Sequence, residues 1–409
     1  MSNHAAKLFV SLSILAACGD DSSSGGSGVG GAAAGGQGGG AASSVGGSSN
    51  GGGGVGAGTA NGGAGGTAPL PTNPIVYVGN GDGQLQAYAL DRDSGVLSPT
   101  SSLAVGGNPS FLAASPDKTR LYAVDENNSE VLAFAVDQAN GTLTELGQRQ
   151  SSEGNGPAYV SVDATGNWVF VANYGGGTVA VLPVLADGSL GAAVDVESPG
   201  ANAHAIRADA SNSHVYVPCL GSDLVAQFDF DVATGELTPM PSDAVLPAGT
   251  GPRHLEFHPS LPVVYVIGEL GDTVTTFAVN GDGALESVDS VSTLPSGAAP
   301  EDNFCADLHI HPNGLQLYGS NRGHNSLAHF AVDPATGALT AMGHTATDGN
   351  WPRNFGIDPA GNLLLVANQQ SDEVVAFALE PQTGALSPLS TTVTGSSPAW
   401  VGVVALPVQ

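Results

Sequence analysis

A short β-strand pattern ending in a turn recurs seven times along this chain, and it constrains the fold more than any other feature. The last residues of successive copies are 45, 48, 46, 49, 53 and 47 residues apart. A repeat of this length built from strands and turns is typical of a propeller blade, so we predict an all-β, seven-bladed β-propeller. The copies are Val76-Tyr77-Val78-Gly79-Asn80, Leu121-Tyr122-Ala123-Val124-Asp125, Val169-Phe170-Val171-Ala172-Asn173, Val215-Tyr216-Val217-Pro218-Cys219, Val264-Tyr265-Val266-Ile267-Gly268, Leu317-Tyr318-Gly319-Ser320-Asn321 and Leu364-Leu365-Val366-Ala367-Asn368.

Each repeat is predicted to hold four strands, A to D, which in the last complete repeat lie at 354–358, 363–368, 373–379 and about 385–389. A glycine in each C–D turn supplies the positive φ that a tight hairpin needs. The chain enters at Ile75 with a strand B and ends with an unpaired strand A at 400–404. We expect this last strand to complete the first blade and so remove the open sheet edge. The turn glycines are Gly95, Gly141, Gly188, Gly235, Gly283, Gly337 and Gly384.

The N-terminal part of the chain has a different composition. Residues 1–17 contain Lys7 followed by ten residues, 8–17, which are too few to span a bilayer and are typical of an export signal. Cys18, after Leu-Ala-Ala, resembles a bacterial lipoprotein processing site, although an ordinary cleaved signal is the alternative. Residues 18–72 are predicted to be a disordered tether, because 23 of the 60 glycines lie between Gly19 and Gly66. We therefore predict an exported cell-envelope lipoprotein with its propeller at 73–409.

Charge and cysteine content restrict the partners. With 37 Asp and Glu against 9 Lys and Arg, the formal charge of −28 argues against nucleic acid and anionic membrane surfaces. We expect membrane contact through the N-terminal lipid only, and a monomer. No cysteine–histidine spacing suggests a metal site, and we expect no cofactor. Cys219 and Cys305 could pair in an oxidising envelope, but no spacing pattern decides this.

Strand alternation places the B–C and D–A loops at one face of the propeller, and this face carries the chemistry. Arginine is scarce, with seven in the chain, yet three of them are predicted at this rim. Surface ion pairs with the surplus carboxylates are the alternative explanation. His258 and His311 lie in A–B turns on the opposite face and are predicted to be structural, whereas His309 could face the channel or pack in the core. The rim candidates are His204, Arg253, His254, Glu269, Arg322, His324 and Arg353.

Four stretches of this chain resemble the seven-bladed lactonase family, which includes propeller-type 6-phosphogluconolactonases and the fungal 3-carboxy-muconate lactonizing enzyme. They are Gly251-Pro252-Arg253-His254 with Phe257-His258-Pro259, Gly268-Glu269-Leu270, Ser320-Asn321-Arg322-Gly323-His324-Asn325-Ser326, and Pro352-Arg353-Asn354-Phe355 with Val366-Ala367-Asn368-Gln369. The resemblance implies catalysis without metal on a small acidic or sugar lactone. It implies catalytic roles for His204, Arg253, Glu269 and Arg322, and we assign substrate binding to His254, His324, Arg353 and Gln369.

The chemistry of these residue types agrees with lactone opening. Water attack needs a base, here His204, and cationic donors where the carbonyl oxygen gains charge, here Arg253 and Arg322. Glu269 would orient an arginine or shuttle a proton. The chain departs from the family pattern at Asn202, Cys219 and Gly268. These departures, and the export signal, put a phosphorylated cytoplasmic substrate in doubt. The rival function is a non-catalytic, envelope-anchored binding module, since the fold alone does not decide function.

Overall fold

The structure is a computed structural model that describes residues 72–298 and 302–407. The predicted signal peptide at 1–17, the lipidation site Cys18 and the tether lie outside the described residues, apart from the single position 72. Within the described ranges, no helix has the length and hydropathy needed to cross a bilayer.

The described residues form strands joined by short turns, with a turn of 3-10 helix at Leu220–Ser222. In chain order the strands are β1 (Thr72–Asn80), β2 (Gln84–Leu90), β3 (Leu97–Ala104), β4 (Phe111–Ala114), β5 (Arg120–Asp125), β6 (Glu130–Val136), β7 (Leu143–Glu145), β8 (Gln150–Ser151), β9 (Pro157–Val162), β10 (Trp168–Asn173), β11 (Thr178–Pro183), β12 (Asp195–Glu197), β13 (Arg207–Ala208), β14 (His214–Cys219), β15 (Leu224–Asp231), β16 (Glu236–Pro239), β17 (Ala244–Val245), β18 (Pro252–Phe257), β19 (Val263–Gly268), β20 (Thr273–Val279), β21 (Leu285–Ser292), β22 (Phe304–Ile310), β23 (Gln316–Arg322), β24 (Ser326–Val332), β25 (Leu339–Ala346), β26 (Pro352–Ile357), β27 (Leu363–Asn368), β28 (Glu373–Leu379), β29 (Leu386–Val393) and β30 (Pro398–Pro407).

These strands make seven antiparallel sheets, which confirms the predicted seven-bladed propeller. The sheet orders are β3-β2-β1-β30, β4-β5-β6-β7, β12-β11-β10-β9, β13-β14-β15-β16, β18-β19-β20-β21, β22-β23-β24-β25 and β26-β27-β28-β29. Two short outer strands, β8 and β17, pair with the third strand of their blades. In the last blade, strands B and C have the predicted bounds, whereas strand A begins at Pro352 and strand D extends to Val393.

The ring closes as predicted. The last strand, β30, pairs antiparallel with β1 over almost its whole length, from Thr72 opposite Pro407 to Asn80 opposite Pro398. One blade is thus assembled from both ends of the described propeller. Its inner edge is covered, which removes the unpaired strand that would favour aggregation.

The repeated tyrosine and glycine join neighbouring blades. In five blades the strand-B tyrosine donates its hydroxyl hydrogen to the carbonyl oxygen of the turn glycine in the next blade, at 2.7 to 3.3 Å. All seven turn glycines have positive φ, from 70° to 87°. The same pair of residues therefore shapes the hairpin and fastens it to the preceding blade. The bonds are Tyr77 to Gly141, Tyr122 to Gly188, Tyr216 to Gly283, Tyr265 to Gly337 and Tyr318 to Gly384.

The two A–B turn histidines have the structural role predicted for them. His258 Nε2 contacts the carbonyl oxygen of Gly314 at 3.1 Å, and its Nδ1 accepts the N–H of Leu261 at 3.0 Å. His311 makes the matching contact to Gly361 at 2.8 Å. Both imidazoles therefore tie one blade to the turn of the next. Cys219 and Cys305 are buried and free, so they form no disulfide in this structure.

Candidate active site

Two of the rim arginines lie at a β-bulge at the start of strand A. In blade five, Pro252 pairs with Gly268 and His254 pairs with Ile267, which leaves Arg253 outside the regular register. Arg353 is left out in the same way between Pro352 and Asn354. A bulge changes the direction in which a side chain points, and bulges are common next to active sites. At the start of each of these two strands, the arginine side chain therefore points in a direction that the regular alternation of side chains would not give it.

His204 occupies the same position in blade four. Ala203 bridges to Cys219, as Pro252 pairs with Gly268, and the His204 N–H donates to the Pro218 carbonyl oxygen at 2.9 Å. In blades one and three the corresponding bulge residues are Ala399 and Ala158. The reactive side chains are therefore concentrated on one side of the ring.

Arg253, Glu269 and Arg322 form a buried charge cluster. Glu269 Oε2 lies 3.0 Å from Arg253 Nε and 2.8 Å from Arg322 Nη2. The three side chains are only 2%, 8% and 7% exposed, so the surface ion pairs considered above do not apply to these two arginines. One carboxylate oxygen thus holds two guanidinium groups together. This geometry suits an orienting role for Glu269.

Arg253 is incompletely satisfied despite its burial. Its Nη1 donates to the Ala306 carbonyl oxygen at 2.5 Å, but its Nε–H is not aimed at Glu269, so that contact is an ion pair rather than a hydrogen bond. Burial, reinforced by the charge of Arg322, lowers the pKa of Arg253 to about 9. The guanidinium remains charged at neutral pH, and its buried Nε–H has no hydrogen-bond acceptor among the described residues.

His254 is oriented by Asp307. Its Nδ1 lies 2.8 Å from Asp307 Oδ1, whereas Arg253 Nη1 is 3.5 and 3.3 Å from the two ring nitrogens. A position nearly equidistant from both nitrogens places the guanidinium over the imidazole face. Burial, followed by the charge of Arg253, lowers the pKa of His254 to about 4. The imidazole is therefore neutral at physiological pH.

Asp307 is the most highly hydrogen-bonded carboxylate of the site. Besides His254, its oxygens accept the N–H of Phe355 at 3.2 Å and the Asn354 side-chain amide at 2.5 Å, and they contact His309 Nε2 at 3.1 Å. Burial favours the neutral acid, but the charge of His309 and these hydrogen bonds outweigh it and hold the pKa of Asp307 well below its usual value. Asp307 is therefore a buried, fixed anion that links the blades of His254 and Asn354.

A chain of ion pairs continues into the channel through residues not among the sequence candidates. His309 is 34% exposed and contacts both Asp307 and Glu256, and Glu256 pairs with Arg207 at 2.7 Å. Burial opposes protonation of His309, but the charge of Asp307 prevails and raises its pKa to about 10. His309 is thus a partly exposed cation between two carboxylates. Glu256 could have been found from the sequence, because it lies two residues after His254 on the same strand and side chains two residues apart share a face.

His204 is a neutral, buried imidazole next to His254. Its ring lies edge-on to that of His254, with centroids 5.2 Å apart, and edge-on to Tyr174 at 5.4 Å. The buried Nδ1 has no hydrogen-bond partner among the described residues. Burial, followed by the charges of Arg253 and other rim cations, holds the pKa of His204 well below its ordinary value. His204 is thus a neutral imidazole whose buried Nδ1 is not engaged by a protein donor.

The remaining candidates lie at the same face but differ in their contacts. Arg353 is half-buried, and no other described residue forms a hydrogen bond or an ion pair with its side chain. Its charge nevertheless acts on His204, Arg253 and Arg322. Gln369 donates its backbone N–H to the Trp351 carbonyl oxygen at 3.0 Å. The His324 ring instead contacts Ser326 and His344, so the structure does not bring it into contact with the charge cluster.

The site carries positive charge in a strongly acidic chain. With His309 protonated, five cations face three anions, namely Arg207, Arg253, Arg322, Arg353 and His309 against Glu256, Glu269 and Asp307. Within the described residues, no group of three or more His, Cys, Asp or Glu side chains is arranged to hold a metal ion. The arrangement combines neutral imidazoles with buried cations, which can accept a proton and stabilise a developing oxyanion.

Comparison with known proteins agrees with this geometry. Residues 75–403 match the family model described as "Lactonase, 7-bladed beta-propeller". A 6-phosphogluconolactonase from Pectobacterium carotovorum is 33% identical over 277 residues, which cover 67% of this chain and 82% of the relative. A 6-phosphogluconolactonase from Bacillus subtilis is 32% identical over 294 residues, covering 68% of this chain and 83% of the relative.

Among solved structures, the periplasmic gluconolactonase of Pseudomonas aeruginosa superposes with a TM-score of 0.77 at 32% identity. The match covers 82% of this chain and 99% of that protein. The family model alone spans most of the described propeller. The chain therefore belongs to the seven-bladed β-propeller lactonase family.

Proposed function

We propose that this protein hydrolyses a small sugar lactone to its hydroxy acid. The observation that carries the proposal is that the bulge positions of three blades present His204, Arg253 and Arg353 to one site, where the charges of the two arginines help to lower the pKa of His204. A base and cationic donors are the two requirements of water attack on a lactone carbonyl. Membership of the lactonase family supports the same reaction.

In the proposed reaction His204 is the general base. Its unpartnered, neutral imidazole accepts a proton from water as the water oxygen bonds to the carbonyl carbon. The tetrahedral intermediate then collapses, the ring C–O bond breaks, and the leaving oxygen takes the proton back from the imidazolium. A positioned base of this kind contributes roughly 10² to 10⁴ in rate.

The arginines are proposed to stabilise the intermediate. Arg253 and Arg322 are held together by Glu269 and were desolvated during folding, so they need no reorganisation when charge develops on the carbonyl oxygen. Arg353 lacks a protein partner among the described residues and is available for a substrate oxygen. His254, with Nδ1 directed to Asp307, is proposed to contact a substrate hydroxyl. Gln369 and His324 would bind more distant parts of the substrate.

The substrate is proposed to be an unphosphorylated sugar lactone. Two of the rim arginines are already paired with Glu269, which leaves only Arg353 as an unpaired guanidinium there. A phosphate carries nearly two charges at neutral pH and is usually bound by several cationic donors. One free arginine better suits a single carbonyl or carboxylate oxygen. The similarity to a periplasmic gluconolactonase agrees with this choice.

Export as a lipoprotein through Cys18 remains part of the proposal. The similarity to a periplasmic protein supports export, and the processing-site pattern supports lipidation. Mass spectrometry of the mature N-terminus tests this point. A diacylglycerol adduct at Cys18 is expected, and an unmodified N-terminus would contradict lipidation.

The substrate assignment is tested by hydrolysis of glucono-δ-lactone and of its 6-phosphate by the full chain. We expect a higher kcat/KM for the unphosphorylated lactone, and a loss of at least about tenfold in Arg353→Gln. Arg92→Gln is the matched control, because Arg92 is an exposed arginine near a C–D turn on the opposite face. A preference for the phosphorylated lactone would refute the substrate class. No turnover of either compound would favour the binding module.

A further inference from the structure

The residue just before strand A adopts a left-handed backbone conformation in five blades. The backbone N–H of the residue after strand B donates to the carbonyl oxygen of this position, as in the 3.0 Å bond from Gln369 to Trp351. The conformation therefore follows from the blade architecture rather than from the residue type. The five residues and their φ angles are Gly156 at 60°, Asn202 at 56°, Gly251 at 60°, Trp351 at 64° and Ser397 at 57°.

Trp351 does not suit this backbone position. Glycine occupies it in two blades without steric cost, and asparagine tolerates the left-handed region better than most residues. A bulky residue there is an outlier, and the following Pro352 restricts the same backbone further. Strain of this kind persists where surrounding structure imposes it and is concentrated at functional sites. The indole is therefore a candidate for a role that a small residue could not perform.

The indole lies beside the charge cluster. The Arg322 guanidinium carbon is 5.5 Å from the indole centroid, and the Phe304 ring is tilted against it at 5.9 Å. Arg353 follows two residues later. Trp351 packs at the edge of an apolar cluster of Leu220, Leu270 and Phe304, and it remains half-buried rather than enclosed. One side of the indole thus supports the site while another part stays accessible at the rim.

We propose that Trp351 is a specificity-determining residue, and that its accessible surface forms the wall against which the ring of a sugar lactone packs. A lactone ring carries C–H groups on its faces and polar oxygens at its edge. An aromatic wall beside cationic donors matches both parts, because it covers the ring face while the arginines meet the oxygens. This inference rests on the proposed function and adds the part of the site that selects a cyclic substrate.

The test compares three variants of the full chain. Trp351→Gly removes the indole and relieves the backbone strain, Trp351→Phe keeps an aromatic ring, and Asp348→Gly is the matched control. Asp348 is an exposed residue of the same loop with φ of 52°, so its replacement relieves similar strain without touching the indole. The measurements are kcat and KM for glucono-δ-lactone, the Kd of glucono-δ-lactam by calorimetry, and Tm. The lactam keeps the six-membered ring, and its amide resists hydrolysis.

We expect Trp351→Gly to raise KM and the Kd of the lactam by about tenfold or more, with kcat changed less than about threefold. Trp351→Phe should stay within about threefold of the wild type, and Asp348→Gly should leave both constants unchanged. A lower Tm with unchanged KM would make Trp351 a packing residue and overturn the inference. A fall in kcat alone would also overturn it, since the indole would then act only by holding Arg322.

Failure of the proposed function gives a different pattern. If the wild type binds the lactam but hydrolyses no lactone, the catalytic assignment fails, and the lactam affinities of the variants still decide the role of the indole. If the wild type binds neither compound, the stated ligand class is wrong and the inference fails with it.

Discussion

Replacing Glu269 with glutamine should destabilise the propeller strongly while preserving side-chain volume. Glu269 Oε2 lies 2.8 Å from Arg322 Nη2 and 3.0 Å from Arg253 Nε, and all three side chains are buried. At an effective dielectric constant of 20, two unit charges at such a separation attract by about 6 kcal/mol. Desolvation offsets much of that attraction in the native protein. Removing the carboxylate, however, leaves two buried cations next to each other.

The expected cost follows from that unbalanced charge. Breaking a buried pair by removing one partner costs about 3 to 5 kcal/mol, so Glu269→Gln should lower Tm by roughly 4 to 7 °C in a domain of this size. Glu145→Gln is the matched control, because Glu145 pairs with Arg149 at the same 2.8 Å but is 34% exposed. An exposed pair contributes about 0 to 1 kcal/mol, so the control should change Tm by no more than about 2 °C.

Calorimetry of the two variants, with lactone turnover measured on the same samples, is the assay. We expect Glu269→Gln to lose kcat as the arginines separate, and a further Arg322→Gln substitution to recover part of the lost stability. Equal Tm values for Glu269→Gln and Glu145→Gln would refute the reasoning, because burial would then have no influence on the strength of these pairs.

Three further predictions follow from the same contacts. His309 has a pKa of about 10 beside Asp307, so the stability that its charge contributes is present below its ordinary pKa of 6.5 and is lost as pH rises through 10. The free energy of unfolding of His309→Gln, measured against pH, should lack this alkaline loss. A profile unchanged from the wild type would contradict the assignment. Tyr318→Phe leaves the Gly384 carbonyl oxygen without its 2.7 Å donor, at a cost of about 1 to 3 kcal/mol in the free energy of unfolding. Tyr88→Phe, which breaks a hydrogen bond to Gln86 within one blade, should cost less. The reverse order of Tm values would refute the inter-blade role. Because the two site imidazoles have lowered pKa values, kcat/KM should stay constant between about pH 8 and 5.5, and a decline centred near pH 6.5 would contradict this.

The fold was predictable from the sequence because the repeated residues make the same contacts in successive blades. The tyrosine of strand B and the glycine of the C–D turn are hydrogen-bonded partners across blades, so their spacing reports the architecture directly. Closure was predictable because the repeats start with a strand B at Ile75 and finish with an unpaired strand A at 400–404. The start of strand A was placed two residues late in the last blade, since a proline and a bulge residue obscure the alternation there.

The candidate site was predictable only in part. Loop geometry brought Arg253, Glu269 and Arg322 to one rim, and the structure joins them through a single carboxylate oxygen. The partnership of His254 with Asp307 was not predictable, because it connects strands of different blades through a register shift in each. His324 lies in a motif that resembles the family, but its ring contacts Ser326 and His344 and not the charge cluster of Arg253, Glu269 and Arg322.

The most direct test of the account is the rate of glucono-δ-lactone opening, measured by continuous acid titration, for the full-length wild type and His204→Ala. The account predicts wild-type turnover above the spontaneous rate and a loss of at least about 10² in the variant, with folding retained. Equal rates in the two proteins would contradict the central claim that the buried, neutral imidazole of His204 activates water beside the rim arginines.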